Sequence, residues 1–249
     1  MGFFDSIKKG LGLSPGEFEL RVQPETLHIG GEVQGSCVLT PHKDLNVFSV
    51  RLQLMHAFPD DYGVSILEQV QEEVVLAERV SFSEREPVEY PFYIPLHAHL
   101  APSVGRFAWS LVATAAVQSG SPMHYKLPLK VRMSPVSQGI YDVLASHFGF
   151  AFESAGADAD GWWIEMKPTG AVKRYYDGLE VAFDESPDTV DLWIKVHDLR
   201  PEAIQHFRDA FDPHSGAIEL ELRTRDYAAG PNHIDHQGLA KLLEPMFKL

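Results

Sequence analysis

Two histidines one residue apart, His97 and His99, come just after Pro95 and form the pair best placed for metal chemistry. On an extended strand side chains alternate, so both imidazoles project from one side and can share a transition-metal ion. A third ligand has to come from elsewhere in the chain, with His124 or an aspartate as the only candidates in view. Among 12 histidines such a pair arises readily by chance, and the plainer reading is a loop after a proline. The run Asn232-His233-Ile234-Asp235-His236 poses the same choice. There, Asn232 or Asp235 is better suited to cap a helix, because a short polar side chain accepts from the first unpaired N–H groups.

The remaining chemical motifs fail on spacing. Asp158-Ala159-Asp160-Gly161 begins like a calcium loop, but the position that should close it with glutamate is Lys167. Gly10, Gly12 and Gly16 miss the dinucleotide-binding spacing by one residue and follow no strand. No G-x-S-x-G elbow is present, and Cys37, the single cysteine, has no neighbour that would activate it. One cysteine also excludes an intrachain disulfide and four-thiolate metal sites, which fits a reducing cytoplasm. The acidic pairs Asp60-Asp61 and Glu72-Glu73 fall on turns or solvated faces. No cofactor is expected.

Composition narrows the classes further. The chain has 249 residues, 45% hydrophobic and 11% aromatic, enough for one large or two ordinary domains with packed cores. Its net charge of −14 argues against nucleic acid or an anionic membrane as a partner, since both attract lysine and arginine. No apolar run approaches the roughly 18 residues of a bilayer span, and the N-terminus lacks a secretory core. Met1 to Ser6 fits the myristoylation pattern, which is loose enough to match by chance. Phe3, Phe4, Ile7 and Leu11 have helical spacing, with Lys8 and Lys9 between them. They predict a short amphipathic helix that docks on its own domain or makes weak contact with a membrane surface or partner.

The elements that must position everything else are strands. In Asn46–Phe58, Phe48, Val50, Leu52 and Leu54 share one parity, while Ser49, Arg51 and Gln53 share the other. That is the period of a half-buried strand, which needs a second apolar face to cover it. Phe18, Leu20 and Val22 alternate, as do Val33, Gly35, Cys37 and Leu39, so Cys37 should point inward. Further alternating sets are Val88 to Ile94, Phe107 to Ala113 and Met123 to Val131. Pro91 and Pro128 sit on the outward parity, as expected of sheet edges. Ile66 to Phe82 has mixed parity and reads as two strand pieces separated by a bulge or break. Regular turns and no crossover helix predict an antiparallel β-sandwich.

FELRV followed by PETLHIGGEVQGSCVLT, and later REPVEYPFYIPLHAHLAPS followed by RFAWSLVATAAV, resemble the strand pattern of an arrestin-type domain. With the MGFFDSIKKGLGL start and the total length, the chain resembles the sporulation-control protein SpoOM family. The likeness covers residues 1 to about 133 and extends more weakly beyond. The resemblance implies a bacterial, cytoplasmic, arrestin-like protein without enzymatic activity. It implies work by binding other proteins, in sporulation control or in wider stress and cell-division settings.

The second half alternates again, in Trp162 to Lys167, Leu179 to Phe183, Val190 to Val196 and Ile218 to Arg223. That gives four or five strands, with helices expected over Tyr141 to Phe148, from Pro201 and near the C-terminus, where Pro245 should kink or end the last one. Trp163 and Trp193 sit on the polar parity of their strands, which makes them candidates for a protein interface or for burial against another part of the chain.

The expected organisation is an amphipathic helix over 1–14, an arrestin-like sandwich over 15–133, a linker over 134–139 and an arrestin-like sheet domain over 140–249. Phe3, Phe4, Ile7, Trp163 and Trp193 are its interface candidates. A scaffold that presents sheet faces and edges to other proteins, and pairs with itself as a homodimer, fits this pattern. A metal-dependent or ligand-binding enzyme built on His97 and His99 is the competing class, and a peripheral membrane binder acting through Phe3 to Leu11 is the third.

Overall fold

The computed structural model describes residues 14–60, 63–157, 161–185, 189–197, 217–230 and 233–247. The expected helices at Phe3–Leu11 and after Pro201, with Phe3, Phe4 and Ile7, lie outside them, as do most of the Asp158 loop and Asn232. The chain is mostly β and divides into two compact units. One holds the described residues up to Leu27, Gly31–Leu96 and Arg106–Arg132; the other holds His28–Gly30, His97–Gly105 and the described residues from Met133 on.

In the first unit, strands β1 (Gly16–Gln23), β2 (Glu32–Pro41) and β5 (Val88–Pro95) form a three-stranded sheet in the order β1-β2-β5. Strands β3 (Leu45–Pro59), β4 (Ile66–Phe82), β6 (Ala108–Val117) and β7 (Met123–Leu129) form a four-stranded sheet in the order β4-β3-β6-β7. All of these pairings are antiparallel. Phe18, Val33, Cys37, Leu39 and Ile94 are buried from one sheet, and Val50, Leu52, Leu54, Trp109 and Leu111 from the other. Full burial of each such side chain contributes about 1.5–3 kcal/mol. Pro91 and Pro128 lie exposed on the edge strands β5 and β7, where a missing N–H breaks no ladder.

Two parity expectations need correction. Phe48 is 56% exposed, while Val47 is fully buried. The ladder to β6 slips between Val47 and Ser49, and the extra residue reverses which face each side chain takes. Ile66–Phe82 is one continuous strand rather than two pieces. It accommodates its mixed parity with register shifts opposite Val50/Arg51 and Leu54/Met55, which leave Leu76 and Gln71 unpaired.

The second unit is built on a five-stranded antiparallel meander of β8 (Phe150–Ala157), β9 (Trp162–Pro168), β10 (Gly178–Glu185), β11 (Thr189–His197) and β12 (Ala217–Arg223), paired in sequence order. One face is dry, with Ile164, Val181, Ile194 and Ile218 in a single buried row. Helices α1 (Pro135–Ser146) and α2 (His236–Phe247) pack on each other. Phe247, at the end of α2, reaches Phe150 and Tyr176, with ring centroids 5.6 and 6.2 Å apart.

The stretch Ser134–Gly139, expected to be a linker, is the cap and opening of α1. Ser134 is buried, its hydroxyl accepts from the Ser137 amide at 3.0 Å, and Pro135 follows it. A serine followed by proline at the first helical position is a start signal that the linker reading overlooked. Asp235 does cap α2, accepting from the Gln237 amide at 3.0 Å. Pro245 lies inside the last turn of α2, which continues two residues beyond it to Phe247.

Candidate interaction surfaces

The His97 and His99 rings lie 5.4 Å apart between centroids, His97 half-buried and His99 exposed. Among the described residues no group of three or more His, Cys, Asp or Glu side chains converges as a metal would require. Asp60 and Glu73, one from each acidic pair, have structural partners. Asp60 accepts from the Val64 and Ser65 amides at 2.7 and 3.1 Å, and Glu73 accepts from Arg51 and Gln53 at 2.5 and 2.7 Å.

Cys37 is fully buried, and burial pushes its thiol up to about 12 from the ordinary 9.0. Burial likewise pushes the Tyr176 phenol up to about 12 from 10.0. Each fold holds its proton more tightly than the unfolded chain does. Their stabilisation is therefore complete below the ordinary values and lost as pH rises toward about 12. A thiol reagent at pH 8 is expected to label Cys37 only after denaturation. The denaturation midpoint should fall steadily above pH 9, the ordinary thiol value. Rapid labelling of the native chain would contradict the buried placement.

Among the described residues, most of the exposed large apolar side chains lie on β4 and on the hairpin that leads into it; Phe48, Tyr93 and Leu242 lie elsewhere. Ile66, Leu67, Val70 and Val75 are 46%, 48%, 42% and 46% exposed, and Val64 in the turn is 79% exposed. Strand β4 is 17 residues long and forms one edge of its sheet. Its first residues pair with the end of β3, from Pro59↔Ile66 to Met55↔Val70, whereas β6 pairs with β3 no further than Ala57. The hairpin thus extends past the sheet. Its tip is held by the Asp60 carboxylate, by Gly63 at φ 64°, and by Arg106, which donates to the Gly63 carbonyl.

An edge strand presents unpaired N–H and C=O groups, and proteins usually guard such edges with bulges and charge. Here Glu68, paired with Lys126, and Glu73, paired with Arg51, supply charge, and Leu76 and Gln71 supply the irregularities. Arg79, with φ 50°, adds a further local irregularity. The apolar side chains between these guards remain open. Sequence parity hid this surface. The two bulges put Val70 and Val75 opposite Met55 and Arg51, on the outward parity, while Leu67 stands opposite Phe58 and is exposed where the hairpin passes the end of β6.

Trp163 and Trp193 are both half-buried on the outer face of the five-stranded sheet. Trp163 lies flat across Gly156 of the neighbouring strand. A Cβ at Gly156 would stand 2.3 Å from the indole Cζ2, so the glycine makes room for the ring. Its indole N–H is buried without a hydrogen-bond partner among the described residues. Trp193 sits between Ala182 and Glu219 in the same cross-strand row.

No described helix is long and apolar enough to cross a membrane. A family model described as SpoOM protein matches residues 4–200 of the chain. Among solved structures, the chain is similar to Spo0M, the sporulation control protein from Bacillus subtilis. The TM-score is 0.72 at 15% identity, over 94% of this chain and 98% of that one. This likeness carries the arrestin-like fold. No curated protein matches the chain.

Proposed function

Because this chain belongs to the SpoOM protein family, matched over residues 4–200, we propose that it is a non-enzymatic regulatory protein of the cytoplasm that acts by binding other proteins. The observation that most supports this reading is the edge of β4, where Ile66, Leu67, Val70 and Val75 lie exposed on a strand that has, among the described residues, a neighbour on one side only. A partner strand added there gains main-chain hydrogen bonds along the edge and apolar contacts with these side chains. Sporulation control is the role that the family's name suggests and the one this surface would serve. Scaffolding in a stress response uses the same contacts. Self-pairing of the edge into a homodimer belongs to the same reading.

Leu67 and Val70 are exposed, so Leu67→Lys with Val70→Lys should leave the fold intact while placing two charges in the contact. Capture of partners from the native host by the tagged double variant is expected to fall about tenfold or more. Light scattering of the purified chain should show dimers for the unaltered protein and monomers for the variant. Undiminished capture by the variant would contradict a role for this edge, and a strict monomer at high concentration would remove the homodimer.

A further inference from the structure

The outer face of the five-stranded sheet carries a charge pattern that folding alone does not favour. Cross-strand register sets Asp184 opposite Asp191, and Asp191 opposite Glu221, so three carboxylates stand in one row on one face. Directly opposed like charges destabilise a sheet. The adjacent row on the same face runs Gly156, Trp163, Ala182, Trp193, Glu219. Trp193 therefore has Asp191 two residues away on its own strand, Glu219 directly across, and Asp184 and Glu221 on the diagonals.

Local cations are already engaged. Lys195 pairs with Glu180 at 3.9 Å and Arg223 with Glu221 at 3.1 Å. Asp184, Asp191 and Glu219 have no ion-pair partner among the described residues, and Asp184, Glu219 and Glu221 are exposed. A half-buried indole framed by negative charge suits one kind of ligand. A guanidinium or ammonium stacks on tryptophan, gaining roughly 0.5–2 kcal/mol, and the surrounding carboxylates take its N–H groups. Nucleic acid and anionic lipid headgroups are repelled by the same charges.

We propose that this face docks a basic segment of a partner protein, with Trp193 as the stacking platform and Asp184, Asp191, Glu219 and Glu221 as its anionic frame. The proposal rests on the protein-binding reading but uses a face in the other unit from the β4 edge, so the two can fail separately. The row of opposed carboxylates, a cost to the sheet itself, is then relieved by the incoming cations.

The full chain is titrated with a short synthetic peptide of alternating arginine and alanine, and with its glutamate counterpart, by calorimetry at several salt concentrations. The arginine peptide is expected to bind, more weakly as salt rises, and the glutamate peptide not to bind. The combined variant Asp184→Asn, Asp191→Asn, Glu221→Gln should lose about tenfold or more in affinity while its melting temperature stays level or rises, because like-charge contacts are removed. Trp193→Leu should weaken binding at unchanged net charge. Neutralising Glu17 and Glu89, exposed in the first unit, should leave the affinity unchanged, as should Leu67→Lys with Val70→Lys at the β4 edge. An equal loss from the Glu17 and Glu89 variant would mean non-specific attraction of a polycation to an acidic protein and would overturn the proposal. Unaltered affinity in Trp193→Leu would overturn it as well.

Discussion

Trp109→Ala is expected to lower the stability of the first unit by about 3–5 kcal/mol, the range for removing a large aromatic side chain from a packed core. Trp109 is 2% exposed and lies on β6 directly opposite His56 of β3. The two rings are 4.5 Å apart between centroids. His56 is itself 3% exposed and stacks on Phe107 and Phe58 at 5.8 and 5.9 Å. Truncating the indole leaves a void beside the His56 ring, which is itself held by Phe107 and Phe58 and cannot close it without moving two strands. Against a typical domain stability of about 5–15 kcal/mol, this loss leaves the unit close to unfolding at ambient temperature. Denaturant unfolding followed by circular dichroism checks it. A midpoint shift worth less than about 1 kcal/mol would mean that Trp109 is not where the sandwich keeps its packing.

Gly35→Ala is expected to destabilise the three-stranded sheet by about 1–3 kcal/mol, the range for overpacking a filled site. Gly35 is in β2 and pairs with Val22 of β1 and Phe92 of β5. A Cβ there would sit 1.9 Å from the Arg21 carbonyl oxygen and 2.9 Å from Cζ of Phe92. The phenyl ring can turn aside, but the carbonyl is backbone, so β1 itself must shift. Faster amide exchange in β1, with the other strands unchanged, should accompany the loss. An alanine variant as stable as the unaltered chain would show that β1 does not approach β2 this closely.

Much of the architecture was legible in the alternation of residue types. Cys37, Leu52, Leu54, Ile164, Val181 and Ile194 have inward parity in the sequence and are fully buried. Pro91 and Pro128 marked edge strands correctly, since proline cannot donate to a central ladder. Failures came where the period itself breaks. A single slipped residue at Phe48 sent that side chain to solvent, and two bulges in β4 concealed a continuous strand. The α1 start was missed because serine, proline and glycine also make linkers. Its hydroxyl partners come from distant sequence: Ser134 donates to Glu185 at 2.7 Å, and Ser137 donates to the same carboxylate.

The interaction surfaces were less legible still. Trp163 and Trp193 were singled out by parity alone. The row of Asp184, Asp191 and Glu221 that frames Trp193 exists only through register across three strands. Exposure of Ile66 and Leu67 likewise depends on where the hairpin leaves the sheet.

Contact made along the β4 edge is tested most directly by amide hydrogen exchange, comparing the free chain with the complex it forms in its native host. Slower exchange should appear within Ile66–Phe82 on binding, because a partner strand takes up the edge N–H groups, while β3 and β6 should be little altered. Exchange in Ile66–Phe82 that is identical in the free and bound chain, with protection appearing elsewhere, would contradict it.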